Sequence, residues 1–367
     1  MPAWTIERHG LRNAAETLLV AAVGALFFVW IHFPAGLICG SMLAVAAAAL
    51  AGRPMVVPVN LGRLTFLIIG MSLGATVTPR TLHGIVEWPI SMMLIAVSAL
   101  CMTLATMSYL RLVHGWDIKS ALYGGSPGAM AQVISLSVHS GADVRGVVIV
   151  QTVRVVFISV SIPLGLALFG LAASPTATLG AANFDASPIE LVVLISFCVV
   201  TSMLLQWIRF PASIIFGAML GSGILHGMDL VQASPPWWLA SAAVVVMGAT
   251  VGQRFANTPG RLLLAYLGAA VGSFAVAASI CAGFAVLVAA LTNAHVADLV
   301  ISFAPGAQDT MMVLALSLHI DPVFVGAHQL SRFLTVSLSL PLLTHLFTRE
   351  NDATGKRPEL LPKDPKN

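Results

Sequence analysis

Arg154 and Arg332 each lie deep inside an apolar run, and each follows a glutamine by three positions, Gln151 and Gln329. Residues three apart share a helical face, so each amide and guanidinium point the same way. Arg154 falls eleven residues after Asp143, roughly 16 Å along a helix and near the middle of a bilayer. A guanidinium there costs at least ~2.5 kcal/mol on the insertion scale, so something must compensate it. The residues offer two answers. An anionic solute binds between the arginines, or the arginines are structural, tied to backbone carbonyls or to Asp309. Asp309 is the carboxylate that the sequence leaves deep in the membrane, and Ala131 is its counterpart. It is a candidate coupling group for a proton or sodium ion, or a switching salt-bridge partner of an arginine.

Two interrupted turns stand upstream of these arginines. Ser126-Pro127-Gly128-Ala129 precedes Arg154 by the same spacing at which Ala304-Pro305-Gly306-Ala307 precedes Arg332. A bilayer tolerates non-helical backbone only where protein or a water-filled cavity satisfies its polar groups. Broken segments at matching places in two halves point to a secondary-transporter binding site. Pro127 and Pro305 suit the first turn of a helix, where a missing N–H costs nothing. The half-helices that follow would aim free N–H groups and a positive dipole end back at the break. With the arginines nearby this makes a pocket for a small anion, and Ser126, Gln132 and Gln308 add neutral hydrogen bonds. The candidate substrate-binding set is therefore Ser126, Pro127, Gly128, Gln132, Gln151, Arg154, Pro305, Gly306, Gln308, Gln329 and Arg332, with Asp309 for coupling.

Other polar residues have plainer readings. Asp143 and Asp321 begin helices and are expected to cap them. His328 precedes Gln329 by one, faces elsewhere, and reads as packed; His139 and His319 read as solvated. Cys39, Cys101, Cys198 and Cys281 stand in apolar runs without short spacing, so neither metal ligation nor disulfides are expected. The histidines show no His-x-x-x-His or Glu-x-x-His pattern, and no cofactor or metal is expected.

The elements that position these residues follow from composition. The chain is 58% hydrophobic and 9% charged, which excludes an ordinary soluble domain at roughly 25% charged. Its basic residues sit between apolar runs, unlike a nucleic-acid footprint. Spans are expected from Ala14, Pro34, Leu61 and Pro89, then a broken element at 120–141 and a helix from Asp143. The same order returns at 188–207, 211–226, 238–253, 261–292, a broken 296–319, and 321–347. Gly70, Gly74, Asp143, Gln151, Arg154 and Pro163 fall on Gly248, Gly252, Asp321, Gln329, Arg332 and Pro341 at one unbroken offset of 178. The chain reads as a tandem duplication. The parts are a cytoplasmic N-terminus (1–13), repeat 1 (14–171), a linker (172–187), repeat 2 (188–347) and a disordered cytoplasmic tail (348–367).

Loop charge sets the number of crossings, because cytoplasmic loops are enriched in Lys and Arg. If both broken elements cross, Arg145, Arg209, Arg254 and Arg261 lie opposite the N-terminal side. If both re-enter, these four return to it and Arg80 stays opposite. The expected fold is an all-α polytopic membrane protein of two inverted repeats. Each has about five transmembrane helices plus one broken or re-entrant helix, and both termini are cytoplasmic.

The paired pattern, Pro127-Gly128-Ala129 with Asp143, Gln151 and Arg154, then Pro305-Gly306-Ala307 with Asp321, Gln329 and Arg332, resembles the membrane AbrB duplication family over about residues 10–348. The resemblance implies a bacterial inner-membrane protein similar in fold to inverted-repeat transporters such as bile-acid and glutamate symporters. Family members carry labels of gene-expression regulator or ammonia monooxygenase, and the name is shared with an unrelated soluble DNA-binding regulator. An oxygenase would need a metal site, and a direct regulator a basic cytoplasmic module; the sequence has neither. Met130 and Ala131 stand where the family carries an acidic residue, which weakens coupling through the first half. The expected function is transport of small organic anions, and the alternative is a membrane-embedded regulatory protein. Expected partners are an anionic solute, the bilayer, and a coupling proton or sodium ion. No nucleic acid is expected, and a homodimer through the glycine-rich helices follows by analogy.

Overall fold

A computed structural model describes residues 3–77, 88–127, 130–171, 188–256, 258–292 and 294–354. The linker 172–187, Gly128 and the chain beyond 354 lie outside the described residues.

The first half folds as α1 (Ala3–Trp30), α2 (Gly36–Leu50), α3 (Val59–Gly74), α4 (Pro89–His114), α5 (Ile118–Gly125), α6 (Met130–Ser140) and α7 (Val144–Leu168). The second gives α8 (Pro188–Trp207), α9 (Ser213–Gly227), α10 (Trp237–Gly252), α11 (Gly260–Leu291), α12 (Val296–Phe303), α13 (Gln308–Ser317) and α14 (Pro322–Thr354). Among the described residues six helices, α1, α4, α7, α8, α11 and α14, are long and apolar enough to cross a bilayer. The protein is an all-α polytopic membrane protein. Its outer surface fits that solvent, with Leu19, Val23 and Leu26 of α1 and Val192, Val200 and Trp207 of α8 exposed. Two boundaries exceed expectation: α1 already begins at Ala3, and α14 runs on to Thr354.

The halves interleave. α2 packs on α10, and α3 packs on both α10 and α9, with α1 and α8 at the two ends. This row, α1-α2-α10-α3-α9-α8, keeps its order when each helix is exchanged for its counterpart in the other half. The glycine pairs make the close approaches possible. A Cβ at Gly70 or Gly74 would meet the carbonyl of Ile215 or Met219 at 2.5 Å, and one at Gly252 would meet Met42 O at 2.5 Å. These faces are filled within the chain, so a homodimer has to use another surface. The remaining helices form a second group in which α4 and α11 pack together, α7 against α11, and α14 against α4.

Both broken elements return to where they began. The Lys119 ammonium donates to Ser140 O at 3.1 Å, and Asp143 N donates to the Ser120 hydroxyl at 2.7 Å. In the second half Asp321 N donates to Asp298 at 3.1 Å. Each is thus a hairpin with its two ends side by side.

Candidate functional site

Each hairpin tip is set by its proline. A residue before proline is driven out of the helical region, and Ser126 (φ −71°, ψ 135°) and Ala304 (φ −54°, ψ 133°) are both extended. That stops α5 at Gly125 and α12 at Phe303. The expectation that the prolines open the outgoing half-helices is corrected. α13 begins at Gln308 behind an extended Ala307, and α6 begins at Met130. Proline ends the incoming helix instead.

An abrupt helix end leaves carbonyls without partners, and the arginines and glutamines supply them. Arg154 donates to the carbonyls of Gly125 at 3.1 Å and Ser126 at 2.9 Å, and Gln151 donates to Tyr123 O at 2.8 Å. Arg332 donates to Gly306 O at 2.7 Å, to Ala304 O and to Gln329 Oε1. Gln329 Nε2 donates to Ile301 O and Ser302 O, each at 3.2 Å. A cation at a helix C-terminus also meets the negative end of the dipole. The tie to backbone carbonyls is real in both halves. It leaves guanidinium N–H groups over, among them Nε of Arg154 and Nε of Arg332, which are buried without a partner.

Both arginines also line one cavity of about 400 Å³ between the two helix groups. Its wall carries Gln151, Arg154 and Val155 from α7; Gln329, Arg332 and Phe333 from α14; Pro127 and Gly306 from the hairpin tips; and Ala307, Gln308 and Asp309 at the start of α13. The row of helices adds Arg63 and Phe66 of α3, the α9 start from Ala212 to Ile215, and Arg254. Neither α9 nor α13 has a side-chain cap at its N-terminus, so two positive helix ends face the cavity. Ala212 holds left-handed backbone at φ 46°, as does Ala35 at φ 52° in the matching Phe-Pro-Ala turn. Strain of this kind in a non-glycine residue gathers at functional sites. Among the described residues the wall holds four arginines against one carboxylate. Gln308 Oε1 and Arg254 Nη1 are buried there without partners.

The expected set divides accordingly. Pro127, Gln151, Arg154, Gly306, Gln308, Asp309, Gln329 and Arg332 meet at the cavity. Ser126 does not serve it: its hydroxyl turns back to Tyr123 O at 3.1 Å. Pro305 is buried behind Gly306. Gly128 and the Gln132 side chain lie outside the described residues. Asp309 pairs with neither deep arginine; its carboxylate stands 3.9 Å from Arg254. Asp321 caps α14, accepting from the N–H groups of Val323 and Phe324. Asp143 sits at the N-cap of α7 without capping it, and accepts from the Tyr266 hydroxyl at 2.5 Å. His328 is packed as expected, with Nδ1 2.8 Å from Phe324 O and Nε2 2.8 Å from the Ser91 hydroxyl.

Sequence reasoning missed Arg63, Arg254 and Ser213. In the sequence both arginines stand at the edges of apolar runs rather than deep inside them, which gave no reason to join them to Arg154 and Arg332.

The description "Transition state regulatory protein AbrB" matches this chain over residues 37–348. The chain belongs to the AbrB family. Among AbrB-family relatives, a Bacillus subtilis (strain 168) protein named "Uncharacterized protein YhjN" is 27% identical over 315 residues, covering 78% of this chain and 79% of its own. An Escherichia coli (strain K12) protein named "Putative regulator AbrB" is 23% identical over 322 residues, covering 88% and 92%. The likeness to both takes in most of the membrane helices of this AbrB-family chain.

Proposed function

We propose that this chain is a secondary transporter of small organic anions, not an enzyme, with its substrate site at the interface of two inverted repeats near the bilayer midplane. The cavity carries the reading. Four guanidinium groups and two uncapped helix N-termini surround a space fit for a small molecule, with one carboxylate among them. Carbonyl capping accounts for the terminal nitrogens of Arg154 and Arg332. It does not account for Arg63, Arg254 or the uncapped helices, and an anion does. Two hairpins that re-enter leave five crossings per half, which supports opposite orientations of the halves. Both termini then lie on the cytoplasmic side of a bacterial inner membrane. Asp309 is the coupling group, for a proton or a sodium ion.

Uptake into proteoliposomes tests this. With a proton or sodium gradient imposed, carboxylates, sulfonates and phosphate esters are screened, and concentrative accumulation of at least one is expected. The relative's regulator name supports a second reading, a membrane-embedded protein that affects gene expression, directly or through a transported metabolite. Binding without accumulation under either gradient favours that reading.

A further inference from the structure

Arg154 and Arg332 share their guanidinium groups with the hairpin tips: two of the five N–H groups of Arg154 and three of those of Arg332 are already engaged. A carboxylate is gripped best by a free guanidinium fork, and the free forks are at the outer end of the cavity. Arg63 is exposed and has no ion-pair partner among the described residues. Arg254 has a buried, unpartnered Nη1, and its other terminal nitrogen reaches Asp309 only at 3.9 Å, long for a charge-assisted hydrogen bond. Asp309 is at the second position of α13, where the helix N-terminus already suits a carboxylate, and its Oδ1 accepts from Thr310 N at 3.0 Å. It can therefore release Arg254 without being stranded.

The first half has no such outer site. In the duplicated register the counterparts of Arg63, Arg254 and Asp309 are Ser241, Thr76 and Ala131. The outer charges are an addition to the duplicated frame. Phe66, Val155 and Phe333 line the same cavity as both pairs of arginines.

Building on the transport reading above, we propose that Arg63 and Arg254 form an outer carboxylate subsite, that Asp309 occupies it as an internal stand-in when the cavity is empty, and that the substrate is an organic dianion with carboxylates at both ends. The inner carboxylate meets the guanidinium N–H groups that Arg154 and Arg332 do not commit to the hairpin tips. The outer one displaces Asp309 from Arg254.

Succinate and butyrate, matched in carbon number, serve as probes of the purified full chain in detergent, with binding read by calorimetry at constant ionic strength. Succinate is expected to bind at least tenfold more tightly than butyrate, the scale of one charged hydrogen-bonding group. Arg254→Gln removes that preference, whereas Asp309→Asn tightens succinate because its competitor is gone. Arg63→Gln, at an exposed position, weakens succinate more than butyrate. Equal binding of the two acids, no binding of either to the wild-type chain or to Asp309→Asn, or a preference that survives Arg254→Gln overturns the subsite. Monodispersity of each variant is checked by gel filtration, and Arg254→Lys is expected to restore part of the preference if Arg254→Gln is poorly folded. Succinate binding without accumulation in proteoliposomes leaves the subsite standing and removes transport; accumulation indifferent to Arg254→Gln does the reverse.

Discussion

Arg332 holds two carbonyls of the second hairpin tip and also lines the cavity. Its removal therefore has a structural cost as well as a functional one. Arg332→Ala leaves the carbonyls of Ala304 and Gly306 short of a donor, at about 1–3 kcal/mol for each buried group left unsatisfied. A lowered unfolding midpoint in detergent is expected, together with loss of anion binding, and Arg332→Lys recovers charge but not the two-pronged hold. An unchanged midpoint for Arg332→Ala would show that the carbonyl contacts carry no weight. The arginines themselves were legible because a cation deep in an apolar run needs a reason. Backbone carbonyls were one of the partners the sequence offered them, but which carbonyls they are leaves no trace in residue type. The Arg254–Asp309 pairing was hidden for another reason: the two are far apart in chain order, in elements that no short-range pattern connects.

Helices are where the sequence spoke most clearly. The hairpin prolines Pro127 and Pro305, and the glycine pairs Gly70/Gly74 and Gly248/Gly252, recur at the same offset, and α5 and α12 match residue for residue in their bounds. What a glycine is for, however, depends on its neighbour. Gly74 lies against α9, where an added Cβ meets Met219 O at 2.5 Å; Gly62, on the same helix, has nothing within 4 Å. Gly74→Ala is expected to destabilise by about 1–3 kcal/mol through overpacking. Gly62→Ala should be neutral or slightly stabilising, since alanine favours a helix interior by up to about 1 kcal/mol. Guanidinium or thermal unfolding of the two variants side by side reads the difference. Equal effects would mean that α3 and α9 do not approach as closely as described.

For the whole molecule, the proposed inverted halves predict a membrane sidedness. Asp117 and His295, the N-caps of α5 and α12, stand at matching positions and are both exposed. With Cys101, the exposed cysteine, replaced by serine, Asp117→Cys should react with a membrane-impermeant maleimide only from the cytoplasmic side. His295→Cys should react only from the opposite side, and labelling of both from one side would contradict inverted halves. Loop charge favoured this arrangement in the sequence, and the contacts that close the hairpins, between residues such as Ser120 and Asp143, are compatible with it.

The anion site itself is tested most directly by charge-selective modification of a cysteine at Ser213, which lines the cavity at the start of α9. Rates are taken with a sulfonate-bearing and a trimethylammonium-bearing methanethiosulfonate, each normalised to its rate with a free thiol. A cavity walled by Arg63, Arg154, Arg254 and Arg332 concentrates anions by electrostatic focusing, so the sulfonate reagent is expected to react about tenfold faster or more, and less so as salt rises. Equal normalised rates, or a faster cationic reagent, would contradict an anion site between the two hairpins.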